Sequence, residues 1–313
     1  MPLIILFGLS VFFTANASAR IVWSPETGWE ISGQAPRGTP EEQLKRGDRQ
    51  LNENNHEAAF RTYYKLYKYY PRSAQAPEAL YKAGECLIQW KYYKKALKIF
   101  ERLIVEYPSS TLVSRAIQKE FEIGMHFYEG ARRKIWGIQW FRSYTSGVQA
   151  FKTVIANDPY GEYADDAMFY IGLSSIKMED YEQAVENLEQ LQDKFPDSPF
   201  SGNCEYYIAV CLFEGNKGQG YSMNRIEKAV KRLQKYLDLY PEGDHSDPAA
   251  ILLGKARDIQ AGFYYKTARF YESWKKYRSA EIYYEIILKH FSDMDWKEKA
   301  DERLEIIRPR IRS

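Results

Sequence analysis

Histidine and cysteine are the residues best suited to ligate a metal or attack a substrate, and their spacing here argues against both. His56, His126, His245 and His290 are scattered along the chain and form no HExxH pair. Cys86, Cys204 and Cys211 show no CxxC spacing. Cys204 and Cys211 fall on one expected helix, about 10 Å apart at about 1.5 Å rise per residue, beyond the roughly 7 Å reach of a disulfide. The three thiols read as small buried fillers, with a bridge from Cys86 to either of the others left open. There is no P-loop, no GxSxG elbow and no GxGxxG after a strand. The carboxylate pairs Asp165-Asp166 and Glu179-Asp180 fall at helix starts, where negative charge favours the helix dipole. Neither catalysis, metal nor cofactor is expected.

The chemistry on offer is recognition of other proteins. Leu44, Tyr81, Phe121, Phe169, Tyr206 and Tyr265 occupy one recurring helical position, and all but the first are aromatic. Two roles fit these rings: a ladder lining a binding groove, or packing between repeats. A second cluster, Glu129 to Gly147, sets Arg132, Arg133, Lys134 and Arg142 among Trp136, Trp140, Phe141 and Tyr144. Trp, Tyr and Arg are the residue types that dominate binding energy at interfaces. The same segment also fits a helical flap with buried tryptophans and solvated cations. Arg132, Arg133, Trp136 and Trp140 are its candidate contacts.

The elements that position these residues recur. YKKALKIFERLIVEYP, from Tyr93 to Pro108, returns as YEQAVENLEQLQDKFP, from Tyr181 to Pro196. A small residue, a large apolar one four later and a Pro twelve later give one register six times: Ala59/Tyr63/Pro71, Ala96/Phe100/Pro108, Gly147/Phe151/Pro159, Ala184/Leu188/Pro196, Ala229/Leu233/Pro241 and Ala280/Tyr284/Ser292, the last with Ser in place of Pro. Upstream of each anchor lies a first helix with a small residue at its middle: Gly47, Gly84, Gly124, Gly172, Ala209 and Ala268. The small residues let two helices approach closely, the Ala facing the small residue of the first helix. The large residue one turn further on is expected to bury itself in the next repeat, and the Pro ends the unit. One such pair cannot cover its own apolar face, so neighbours must supply the same surface.

This pattern resembles the tetratricopeptide repeat. The expected fold is all-α, a right-handed solenoid of about six helical pairs over residues 41–295. In that family the position of Tyr81, Phe121, Phe169, Tyr206 and Tyr265 points into the concave groove. The stretch FEGNKGQGYSMNRIEKAVKRLQKYLDLYP splits one repeat by an insertion, and the long helix after it ends in Ala268, Phe270 and Tyr271. These details look like the BamD (YfiO) family. The resemblance implies a periplasmic scaffold of the machine that inserts β-barrel proteins into the outer membrane. Its implied partners are the barrel-insertion subunit, met by the C-terminal repeats, and unfolded outer-membrane proteins. Such proteins usually carry a lipobox Cys; the first cysteine here is Cys86, so membrane association is expected through partners. Other readings are an envelope adaptor similar to the Tol-Pal-associated repeat proteins, or a repeat module with a small-molecule pocket in its groove.

The ends complete the layout. Leu3 to Phe13 is apolar and Ala17-Ser18-Ala19 suits signal-peptidase cleavage before Arg20, although the start lacks Lys or Arg. Residues 20–40, with Trp23, Trp29 and three prolines, read as an extended arm that docks on the repeats or on a partner. Residues 296–313 read as a capping helix with Leu304, Ile306 and Ile307 inward, limited by Pro309, and a basic tail. With 44 basic against 42 acidic residues the net charge is +2, which argues against a nucleic-acid binder.

Overall fold

A computed structural model describes residues 20–24, 28–32, 36–130, 132–135, 138–142, 144–215 and 222–312. The expected signal segment 1–19 lies outside them. Among the described residues there are thirteen helices and two short antiparallel hairpins. The chain divides into two compact units, Met1–Ala116 and Ile117–Ser313.

The first unit holds the hairpin β1 (Arg20–Ser24) and β2 (Gly28–Ser32), then the pairs α1 (Pro40–Asn52) with α2 (His56–Tyr69) and α3 (Ala76–Gln89) with α4 (Tyr93–Glu106). The arm is therefore extended but folded on itself, with Trp23 opposite Trp29 in the register. Its last residues lie against α2: the Tyr70 hydroxyl donates to Pro36 O at 3.3 Å and Gly38 O at 3.2 Å. Thr39 then caps α1, its hydroxyl accepting from the Glu42 amide while the Glu42 carboxylate accepts from the Thr39 amide. A repeat later, the Tyr107 hydroxyl donates to Pro71 O at 2.7 Å.

The second unit holds most of α5 (Val113–Tyr128), the hairpin β3 (Arg132–Ile135) and β4 (Ile138–Arg142), and then α6 (Tyr144–Asn157), α7 (Ala164–Lys177), α8 (Tyr181–Lys194), α9 (Ser201–Glu214), α10 (Met223–Leu239), α11 (Ser246–Ser273), α12 (Tyr277–His290) and α13 (Trp296–Arg312). The segment expected as a helical flap is thus a β-hairpin. The sequence KIWGIQWF explains the difference: β-branched and aromatic residues around a Gly favour strands over helix.

Four of the turns from a first to a second helix are built alike, those of α1–α2, α3–α4, α7–α8 and α11–α12. Asn54, Lys91, Glu179 and Lys275 sit in the left-handed region at φ 57, 61, 60 and 56°. The next amide reaches back five residues, as in Tyr92 N to Leu87 O at 2.8 Å and Asp180 N to Ser175 O at 3.0 Å. This is the glycine-type helix stop, here closed by longer residues at three of the four positions.

The packing corrects one detail of the repeat. The large apolar residue lies first over the small residue of its own first helix; Phe151 also reaches the next repeat, stacking on Tyr170 of α7 at 5.7 Å. A Cβ placed on Gly84 would fall 2.5 Å from the Phe100 ring, on Gly124 2.5 Å from Phe151 and on Gly172 2.6 Å from Leu188. At the third pair the two small residues do face each other, since a Cβ on Gly147 would meet Gly124 O at 3.3 Å.

In α13, Ala300, Leu304 and Ile307 join the buried cluster of α11 and α12, whereas Ile306 is 44% exposed. The inward face follows the spacing of four and three, which leaves Ile306 outside. Helix α13 also continues through Pro309 to Arg312. Arg308 and Arg310 of the basic tail are exposed but partnered: Arg308 bonds Glu281 and Glu285 at 3.3 and 3.4 Å, and Arg310 lies over the Tyr277 ring.

Candidate protein-binding surfaces

The small residues named from the sequence hold the pairs together. Ala96, Ala184, Ala229, Ala268 and Ala280 are fully buried, and Gly84, Gly124 and Gly172 are filled by the ring or Leu opposite. Where the opposing residue is Tyr rather than Phe or Leu, its hydroxyl needs an acceptor in the core. The Tyr63 hydroxyl donates to Asp48 at 2.7 Å, and Lys82 also bonds that carboxylate at 2.7 Å. The Tyr284 hydroxyl donates to Glu272 at 2.9 Å, and Arg303 and Arg269 close on the same group. Burial and the carboxylate beside it push both phenols well above their ordinary value.

The recurring aromatic position is spent largely on packing. Tyr81 and Phe169 are only 4% and 5% exposed, while Phe121, Tyr206 and Tyr265 are half-buried. Four of the five contact the large ring of their own second helix: Tyr81 with Phe100 at 5.8 Å, Phe121 with Phe151 at 5.6 Å, Tyr206 with Tyr236 at 6.0 Å and Tyr265 with Tyr284 at 5.7 Å between centroids. Phe169 stacks on Phe200 at 4.5 Å. Tyr206 also stacks on His245 at 4.5 Å.

Arg132, Arg133 and Trp140 lie on β3 and β4, where Arg132 pairs with Arg142 and Arg133 with Phe141 in the register. Trp136 lies outside the described residues. The hairpin places two arginines opposite each other on one rung.

A buried acid that the sequence reading passed over organises the middle of the second unit. Glu205 is 2% exposed and accepts from Arg232 at 2.8 Å, Gln192 at 3.0 Å and Lys235. Burial alone would raise its pKa; the bonds from Lys235 and Arg232 outweigh that and hold the carboxyl below its ordinary value. Arg232 also reaches Glu189 at 2.8 Å, so one guanidinium ties α8, α9 and α10 together. Glu120, fully buried, accepts from Asn157 at 2.8 Å. An acid just before the aromatic at the recurring position was the available signal at both sites.

Burial lifts the thiols of Cys86, Cys204 and Cys211 to about 12, and all three are free. Among the described residues no group of three His, Cys, Asp or Glu side chains could hold a metal ion. A depression of about 470 Å³ runs along Lys231, Gln234, Lys235, Asp238 and Leu239, on α10 alone, so it cannot enclose a small ligand. The exposed apolar residues are more telling: Phe263, Phe270 and Trp274, at 46, 57 and 66% exposure, share one face of the C-terminal half of α11.

Helical pairs around small residues, with binding left to exposed side chains, match two family descriptions. Residues 78–110 match the tetratricopeptide repeat. Residues 126–310, more than half of the chain, match YfiO, described as an outer membrane lipoprotein. The chain belongs to the YfiO family. No curated protein matches it. Solved structures similar to this YfiO-family chain include MamA 41-end from Desulfovibrio magneticus RS-1, at 16% identity and a TM-score of 0.34, covering 66% of this chain and 97% of that one. TTC0263, a thermophilic tetratricopeptide-repeat protein of Thermus thermophilus, is 16% identical at a TM-score of 0.31 and covers 70% and 98%. A tetratricopeptide repeat protein from Parabacteroides merdae ATCC 43184 is 13% identical at a TM-score of 0.36 and covers 86% and 98%. Among the described residues of the YfiO-family chain, no helix is long and apolar enough to cross a membrane.

Proposed function

We propose that this YfiO-family protein is a non-catalytic periplasmic scaffold of the outer-membrane β-barrel assembly machine. It holds a barrel-insertion subunit and unfolded segments of outer-membrane proteins, and it meets the membrane through those partners. The observation that carries the reading is the family match over residues 126–310, which spans the helical pairs from α6 to α12. The half-buried rings Phe121, Tyr206 and Tyr265 are the groove positions with surface to offer a peptide, while Tyr81 and Phe169 are buried. Arg132, Arg133, Trp136 and Trp140 supply a second contact in the segment of the β3–β4 hairpin.

The test is affinity purification from cross-linked envelopes through a C-terminal tag, with partners identified by mass spectrometry. A dominant barrel-insertion protein is expected, and its yield drops when Phe121, Tyr206 and Tyr265 are replaced by Ala. Cell-wall or division proteins without any barrel protein would overturn the reading in favour of a different envelope adaptor.

A further inference from the structure

Helix α11 has 28 residues where the regular first and second helices have 14, and the sequence register explains the surplus. Pro71, Pro159 and Pro196 are each followed thirteen residues later by the small residue of the next first helix, Gly84, Gly172 and Ala209; thirteen after Pro241 comes Gly254. Three before Gly254 is Ile251, at the position that Tyr81, Phe169 and Tyr206 hold elsewhere. Residues 246–259 are therefore a first helix in register. Where the others turn into their second helix, this one runs straight on into the first helix of the last pair.

The two halves of α11 pack on different neighbours. Ala249, Leu252, Leu253, Ala256 and Ile259 join the cluster of α9 and α10; Ala261, Tyr264, Tyr265, Ala268 and Tyr271 join that of α12 and α13. What is left uncovered is the place of a second helix on the N-terminal half. Rings or Leu crowd Gly84, Gly124 and Gly172, yet among the described residues a Cβ on Gly254 would meet nothing within 4 Å. Ile251 is 62% exposed, where Tyr81 and Phe169 are 4% and 5%.

We propose that the Ile251–Gly254 face of α11 receives an amphipathic helix from a protein partner, completing this half-repeat as α4 completes α3. The chain itself specifies the occupant, because the same surface is covered in the other pairs by a helix with a small residue followed four later by Phe, Tyr or Leu. The occupant is about four turns long, matching the half-helix it covers. It runs antiparallel to α11. Exposed Asp244 and Asp247 lie at one end of the face; toward the other are exposed Lys255 and Asp258, the latter accepting from Trp296 Nε1 at 2.7 Å. An antiparallel helix with a basic last turn meets Asp244 and Asp247, and that charge also suits its own dipole.

The chain's own second helices serve as probes. Fluorescein-labelled peptides of residues 181–195, whose last turn carries Lys194, and 93–107, whose last turn carries Glu106 instead, are titrated with the full chain and followed by anisotropy, and the first is expected to bind more tightly. Saturable binding is expected, weakened at least tenfold by Ile251→Glu or Gly254→Leu in the protein and by Phe100→Glu or Leu188→Glu in the matching peptide. Ile251 is exposed and a Cβ on Gly254 meets nothing within 4 Å among the described residues, so a thermal midpoint that is not lowered verifies the folding of both variants. Failure of both peptides to bind, or binding that Ile251→Glu leaves unchanged, overturns the proposal. So does sedimentation showing a dimer that Ile251→Glu dissociates, since the occupant is then a second copy of the chain.

Discussion

The pair α3–α4 and the N-terminal half of α11 begin with the same grammar, Pro, a short turn and a helix with Gly thirteen residues on, and they end differently. In the first, Phe100 closes over Gly84; in the second, nothing among the described residues reaches Gly254. The difference shows that a small residue in a first helix does not stabilise anything by itself. It creates a seat, and the stabilisation comes from the side chain that fills it.

The largest break in the comparison comes from emptying the filled seat. Phe100→Ala should cost about 3–5 kcal/mol, the range for a fully buried aromatic, while Phe270→Ala on the exposed stripe of α11 should stay within about 0.5 kcal/mol. Urea unfolding of the two variants settles this, and equal shifts of the midpoint would contradict the packing described. Filling the seats from the other side is the next test. Gly84→Leu pushes a branched side chain into the Phe100 ring and should destabilise by about 1–3 kcal/mol or more, whereas Gly254→Leu should be neutral or raise the melting temperature, since Gly in a helix interior costs up to about 1 kcal/mol. A Gly254→Leu variant that melts well below the parent would show that something does cover that face within the chain.

Charge sharpens the comparison further. Arg232→Ala should cost about 1–3 kcal/mol by leaving Glu205 with fewer partners, and Arg308→Ala, whose ion pairs are exposed, about 0–1 kcal/mol. Glu205 and Glu272 both have folded-state pKa values below their unfolded ones. Their contribution is present at neutral pH and is lost as pH falls from about 4.3, the unfolded value, through the lowered folded values. Glu205→Gln should therefore flatten the acid limb of the stability curve; an unaltered limb in denaturant titrations between about pH 5 and pH 3 would refute the assignment. The smallest effect expected is at the turns. Lys91→Gly and Glu179→Gly remove the cost of a left-handed side-chain residue, about 1–2 kcal/mol before the entropy of glycine is subtracted, so a net gain of a few tenths is expected in thermal unfolding, with Asn54→Gly closer to zero.

The repeat was legible because its register rests on residue size: Ala59, Ala96, Ala184 and Ala229 could be placed by spacing alone, and each is fully buried. Which partner fills each seat was not legible, because spacing along one helix says nothing about which neighbour comes closest. Ala229 to Ala280 is 51 residues where Ala59 to Ala96 is 37, so a surplus shows in the sequence, but its meaning lies in Gly254 keeping the register while no turn follows it. Ahead of Gly147 the surplus is the β3–β4 hairpin, whose strand signal was present in KIWGIQWF and was outweighed by the helical context on either side. Ile306 was misplaced because an apolar residue next to Ile307 looks inward on a coarse helical wheel, yet one residue is about 100° of rotation, enough to leave the packed stripe. Of the candidate site, the aromatic column was legible and its burial was not, since burial of Tyr81 depends on Phe100 across the pair.

The buried thiols have a practical consequence. Cys86 lies in α3, within the first compact unit, and Cys204 and Cys211 lie in α9, within the second. Each is sealed from solvent and held as the unreactive thiol. Alkylation of these sulfurs is then a clock for opening: the labelling rate of Cys86 times the first unit, and that of Cys204 and Cys211 times the second, in one unmodified chain and one mass spectrum per time point.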